Sequence, residues 1–356
     1  MSAAVPTRPD VAAMVGYHSP QVDAEVRLNT NESPFPPPEA WRSDLAAEVE
    51  RVQFHRYPDR HATGLRQALA ELHGVGVDEV FCANGSNEVI QSLLLAYGGP
   101  GRCAALFEPT YTLHGHIARI TGTAVAAGRR TPDFKIDLAE VEAVVAEGAP
   151  TLTFLCSPNN PTGGADPPDV LEAVLTRAPG LVVVDEAYGQ FSPHTALARR
   201  SGGDGARLAV VRTFSKTWAM AGARLGYLVA DPEVVASCEQ VTLPYHLSAL
   251  TQAAGRLALR YRGDMEARVS LVATERDRLA AALADLPVTT WPSDANFILF
   301  RPGHRPAREV WEALVARSVL IRDCSTWPGV EGCLRVTVGT PSENTRFLAA
   351  LDESLS

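Results

Sequence analysis

Short apolar runs that end in polar residues recur between about residue 60 and residue 230, and they constrain the fold more than any other feature. "EVFCANGSN", "CAALFEP", "TLTFLCSP", "LVVVDEA", "RLAVVRTFS" and "RLGYLVA" each read as a strand. Segments with helical spacing separate them, such as "TGLRQALAELHG" and "SNEVIQSLLLAYGG". Strands alternating with helices predict an α/β fold, a mostly parallel sheet with helices on both faces. In such sheets polar chemistry collects beyond the carboxyl ends of the strands.

After about residue 232 the pattern changes. "VVASCEQVTL", "SALTQAAGRLALRY" and the long "MEARVSLVATERDRLAAALADL" read as helices, and "ANFILF", "VLIRDC" and "LRVTVG" as strands. This predicts a smaller α+β C-terminal domain over 258–356, following a large domain over 41–257. Residues 1–40, with the proline cluster "SPFPPP" at 33–38, read as an N-terminal arm lying over the body.

A net charge of −9 with no basic cluster argues against nucleic acid or an anionic membrane as the partner. The first residues lack a basic segment followed by an apolar core, and no apolar run reaches membrane-spanning length. The expected location is cytoplasmic. The six cysteines are scattered without a CxxC pair, so reduced thiols are expected and no metal site.

Five polar features fall where strands end. "ANGSN" (83–87) opens a helix; it suits a phosphate, and equally an ordinary capped helix. "SPNNPTG" (157–163) has turn composition. Asp185 follows three valines and could simply cap the next element. Lys216, in "TFSKTWAMAGARLGY", could snorkel to solvent, and Arg224 could serve a structural ion pair. Taken together, a phosphate cradle, an amide, an acid, a lysine and an arginine at successive strand ends form the inventory that holds pyridoxal 5′-phosphate.

Through "SPNNPTG", "VVVDEAY" and "TFSKTWAMAGARLGY" the chain resembles the fold-type I pyridoxal phosphate-dependent aminotransferases. Through "VRLNTNESP", "RYPD", "LPYHLSALTQAA", "SVLIRDC" and "GCLRVTVGT" it is most similar to the histidinol-phosphate aminotransferases among them. The resemblance implies Lys216 as the residue forming the internal aldimine, and Asp185 as the partner of the pyridine nitrogen. It implies Asn160 and Tyr188 at the phenolic oxygen and Tyr111 stacked on the ring. Gly85, Ser86, Asn87, Ser215 and Arg224 would take the phosphate, joined by Tyr57 from the other subunit of a homodimer. Nothing in composition or spacing singles out Tyr57.

For substrates, the resemblance implies that Arg335 takes the α-carboxylate of glutamate or 2-oxoglutarate. Arg322 and Arg335 together would hold the phosphate of histidinol phosphate, with Tyr17, Asn31 and Tyr245 near by. Charged residues inside short apolar strands point the same way, because they are costly to bury unless an anion meets them. The segment "DCSTWPGVEGC" between the two arginines departs from the common pattern of the relatives. The expected activity is ping-pong transamination between a small-molecule amino donor and a 2-oxo acid. An aromatic amino-acid aminotransferase, or a decarboxylase on the same scaffold, is the alternative. A nicotinamide dehydrogenase would need a GxGxxG turn after the first strand, which is missing. A transcription regulator of similar body would need an N-terminal DNA-binding module, for which 40 residues leave no room.

Overall fold

The computed structural model describes residues 5–7, 9–12, 14, 16, 22–200 and 205–356. Its strands, in chain order, are β1 (Val26–Leu28), β2 (Val80–Ala83), β3 (Cys103–Glu108), β4 (Ala124–Arg129), β5 (Leu152–Cys156) and β6 (Leu181–Asp185). There follow β7 (Leu208–Thr213), β8 (Gly226–Val229), β9 (Val288–Thr290), β10 (Phe297–Pro302), β11 (Val319–Asp323) and β12 (Leu334–Thr337).

The larger sheet has seven strands in the order β2-β8-β7-β6-β5-β3-β4. Neighbours from β7 through β4 run parallel, whereas β8 is antiparallel to both β7 and β2. Every residue of β5, β6 and β7 is buried, which is why these strands read as continuous apolar runs and not as alternating ones. Helices 86–97, 112–120 and 232–241 cover one face around Leu93, Leu106 and Leu228; helices 138–148 and 168–177 cover the other around Val141, Val174 and Val182.

The antiparallel turn of β8 has a local cause. A parallel neighbour needs a crossover, usually a helix, whereas residues 214–225 return directly, and the Phe214 N–H donates to Leu225 O at 2.9 Å. The segment that carries Lys216 is therefore a long connection between antiparallel strands. It lies just past the sheet's carboxyl edge.

The smaller sheet has the order β1-β11-β12-β10-β9 and is antiparallel except where β1 meets β11. Its core gathers Val310, Leu314, Phe300 and Phe347. Part of the segment 1–40 joins this sheet. Val26 and Leu28 are buried, Arg27 is exposed, and the three residues pair in register with Val319–Ile321. Alternating burial makes the segment an edge strand of the C-terminal sheet. Residues 29–32 then cross toward the large sheet. Helix Arg262–Ala284 links both units, with Met265 in one core and Leu279 and Leu283 in the other. Among the described residues no helix is long and apolar enough to cross a membrane.

Candidate active site

Parallel register brings the strand ends level: Cys156 is beside Asp185, and Asp185 beside Val211. They open into a cavity of about 390 Å³ bounded on the other side by residues 29–32, Trp327 and Arg335. Ser86, Asn87, Tyr111, Asn160, Asp185 and Tyr188 line it, with Ser215, Lys216 and Arg224 from the β7–β8 connection and Asn31 from the crossing segment. Residues 306 positions apart in sequence, Asn29 and Arg335, thus share one space.

Lys216 occupies the middle. Its Nζ donates to Thr30 O at 3.1 Å and lies 5.9 Å from the centre of the Tyr188 ring. Burial, together with the positive charges of Arg335 and Arg224, lowers its pKa from 10.5 to about 8; Glu32 opposes the shift. A sizeable fraction of the amine is therefore neutral near physiological pH, as a nucleophile requires.

Asp185 is 2% exposed at the end of β6. Its Oδ1 accepts from the Ala187 N–H at 3.0 Å, and its Oδ2 pairs with His114 Nε2 at 2.9 Å. His114 is fully buried, stacked on Phe154 at 4.9 Å and edge-on to Tyr111 at 5.3 Å. It fixes the carboxylate and was not identified from the sequence. A histidine on an amphipathic helix gives no signal of a partner 71 residues away.

A corner whose groups suit an anion lies at the end of β2. Helix Ser86–Tyr97 starts there, so its first N–H groups and its dipole face the cavity with the Ser86 hydroxyl. Gly85 holds φ +82°, and a Cβ there would come within 2.5 Å of Arg224 Nη2. Glycine is needed chiefly because φ +82° with ψ 166° is a backbone conformation that L side chains rarely adopt; a Cβ would also displace the end of the guanidinium. Arg224 itself holds φ +49°, a strained conformation for a side chain of its size. The Ser215 Oγ accepts from Thr213 Oγ1 at 3.0 Å and lines the same space. Asn87 accepts from the Tyr111 hydroxyl at 3.1 Å, which orients that ring along the wall.

On the opposite side Arg335 is 5% exposed. It donates through Nη1 to Asn160 Oδ1 and through Nη2 to Asn29 O at 3.1 Å. Asn31, at φ +54°, donates to the Tyr188 hydroxyl at 2.9 Å and accepts from Thr337 Oγ1 at 3.0 Å. Burial raises the Tyr188 phenol well above its ordinary pKa, opposed by Arg335 and Asn31, so it stays a neutral donor. Arg322 and Arg335 sit directly opposite each other on β11 and β12. Two like charges at facing positions are unfavourable unless an anion joins them.

Other predicted residues do not meet the cavity within one chain. Tyr57 is 80% exposed and stacks on the exposed Tyr245, with ring centres 4.5 Å apart. Neither lines the cavity. Arg322 is buried behind Trp327 and does not line it either. Tyr17 lies outside the described residues.

Residues 24–351 match the family model for aminotransferase class I and II. A histidinol-phosphate aminotransferase of Corynebacterium efficiens is 44% identical over 98% of this chain and 95% of its own length. One from Frankia casuarinae is 45% identical over 99% and 91%. Among solved structures, histidinol-phosphate aminotransferase from Sinorhizobium meliloti in complex with pyridoxal-5′-phosphate superimposes with a TM-score of 0.90. That match covers 99% of this chain and 98% of the other at 23% identity, which speaks for the fold. With most of its length matched by the family model and by relatives well above 40% identity, the chain belongs to the class I and II aminotransferases.

Proposed function

We propose that the chain is a pyridoxal 5′-phosphate-dependent aminotransferase that moves the amine of glutamate to imidazole acetol phosphate, giving histidinol phosphate and 2-oxoglutarate. The observation that carries this reading is the lysine amine with pKa lowered to about 8, in one cavity with a buried carboxylate and an anion corner. The donor set suits the cofactor. The N-terminus of helix 86–97, Ser86, Ser215 and Arg224 would hold its phosphate, and a Cβ at Gly85 would displace the Arg224 guanidinium from this corner. Tyr111 would cover its ring, and Asn160 and Tyr188 would donate to its phenolic oxygen.

When bound, pyridoxal phosphate supplies an aldehyde that captures the substrate amine and a ring that accepts electrons from the α-carbon. Asp185, fixed by His114 and the Ala187 N–H, would hold a proton on the pyridine nitrogen of the bound cofactor. Lys216 Nζ would take the proton from the substrate α-carbon and return it to the carbon supplied by the cofactor's aldehyde. Arg335, which lines the cavity, would orient the substrate by its carboxylate or its phosphate, with Arg322 facing it on the neighbouring strand. Residues 29–32 line the cavity opposite the strand ends.

The same reading carries a cytoplasmic homodimer. Phe54, Tyr57, Leu243 and Tyr245 form exposed apolar surface around one stacked tyrosine pair. A second copy seated there would bury it and bring Tyr57 to its partner's phosphate corner. Sedimentation velocity should give a dimer; a monomer at micromolar concentration would remove this element. The substrate is tested with a panel using 2-oxoglutarate as acceptor. Histidinol phosphate should exceed histidinol, phenylalanine and tyrosine in kcat/KM, and absence of that preference would refute the assignment.

A further inference from the structure

Tyr111 and Asn160 line the cavity from two different loops. Tyr111 closes the loop after β3, where helix 112–120 begins, and Asn160 stands in the turn after β5. β3 and β5 are parallel neighbours, but their register runs Ala104–Leu152 and Ala105–Thr153 and stops there, well short of both loops. Backbone pairing between the strands therefore does not set the distance between the two residues. A side chain bridges the gap. Asn159 is fully buried; its Oδ1 accepts from Thr110 Oγ1 at 2.9 Å, and its Nδ2 donates to Pro109 O at 2.9 Å and to Thr162 Oγ1 at 2.8 Å. A carbonyl oxygen can only accept, so the contact with Pro109 fixes which end of the amide carries the hydrogens. Two of the three bonds reach the loop that presents Tyr111, and the third stays within the turn.

The turn is braced on its own account. The Asn159 N–H donates to Gly164 O at 2.8 Å and the Gly163 N–H to Asn159 O at 2.7 Å. On the far side the Asp294 N–H donates to Gly163 O at 2.8 Å, and the Ala165 N–H to Asp294 Oδ2 at 3.1 Å. Asn160 follows Asn159 directly. Its Oδ1 is taken by Arg335, which leaves Nδ2 as the donor for the cofactor's phenolic oxygen. A shift of Asn159 against the Pro109–Thr110 segment would therefore move this donor relative to the Tyr111 ring.

We propose that Asn159, which does not line the cavity itself, is a positioning residue: by tying the Pro109–Thr110 segment to the turn after β5 it sets the spacing between Tyr111 and Asn160 into which the cofactor ring fits. The proposal rests on pyridoxal phosphate as the cofactor and is independent of which amine is the substrate.

The test titrates cofactor-free wild type, Asn159→Ala, Thr110→Val and Thr162→Val with pyridoxal phosphate, and follows the visible absorbance of each bound form against pH. Asn159→Ala should weaken binding about tenfold, the scale of a lost buried hydrogen bond. It should also raise the pH midpoint of the colour change by about one unit, because a phenolic oxygen short of a donor holds the neighbouring proton more firmly. Thr162→Val cuts only the bond inside the turn. It should lower stability in urea, yet change the affinity less than about twofold and leave the midpoint in place. Thr110→Val, which removes one of the two ties between the loops, should fall between them in both readings. A wild-type midpoint in Asn159→Ala, or an affinity loss that Thr162→Val matches, would overturn the proposal. If Asn159→Ala does not accumulate as folded protein, Thr110→Val is judged against Thr162→Val by the same two readings, and equal values refute the role. A wild type that stays colourless and binds no cofactor would refute the cofactor itself, whereas a coloured wild type with unresponsive variants refutes only the part given to Asn159.

Discussion

Replacing Lys216 with Met should make the cofactor-free protein more stable at neutral pH, and the advantage should vanish as pH rises. The native amine titrates at about 8 because it is buried near Arg335 and Arg224, while in the unfolded chain it titrates near 10.5. Below pH 8 both states hold the proton, and the native state bears the full cost of enclosing a charge. Between about 8 and 10.5 the unfolded chain holds a proton that the native state lacks, so wild-type stability increases with pH over that window. The depression corresponds to roughly 3 kcal/mol. Solvent reaches part of the side chain, which reduces the expectation to about 2 kcal/mol. The assay is urea unfolding of cofactor-free wild type and Lys216→Met at fixed protein concentration, from pH 7 to pH 10.5. The difference in unfolding free energy should move by about 2 kcal/mol in favour of the wild type. A difference that stays flat across that range would refute the claim that the fold depresses this amine.

Three further perturbations follow from the same geometry. Asp185→Asn removes the charge that holds a proton on the cofactor ring; kcat should fall at least about a hundredfold with much smaller changes in KM, and a loss under tenfold would contradict its role. Gly85→Ala places a Cβ 2.5 Å from Arg224 Nη2 at φ +82°, so titration of the cofactor-free protein should show roughly tenfold weaker binding of pyridoxal phosphate. Glu186→Gln leaves Arg212 buried without its anion, since the two pair at 2.7 Å with exposures of 2% and 8%; urea unfolding should show a loss of about 3 kcal/mol, and a loss below about 1 kcal/mol would show the pair to be dispensable.

The strands of the large sheet and the residues at their carboxyl ends were legible because burial on both faces leaves uninterrupted apolar runs with abrupt polar endings. Val182–Val184 followed by Asp185 is the plainest case. Three strands were missed. β4 is an edge strand with mostly exposed or half-buried side chains, β9 is only three residues long, and β1 is paired with residues 293 positions away. Short edge strands carry too few apolar positions to declare a period. Strand direction was also hidden. "RLGYLVA" reads the same whether parallel or antiparallel, and only the direct return through Lys216 decides it. At the site, Lys216, Asp185 and Arg224 stood out by residue type and neighbours. His114 did not, because its importance comes from what tertiary packing places against it. Tyr57 and Tyr245 came from family resemblance, and a single chain leaves them outside the cavity.

The most direct measurement of the central claim is borohydride reduction of the purified protein saturated with pyridoxal phosphate, followed by peptide mapping. The account predicts a yellow protein whose colour is lost on reduction and a single phosphopyridoxyl group on the peptide containing Lys216, absent from Lys216→Ala. A colourless protein, or a label that persists on another lysine in that variant, would contradict it.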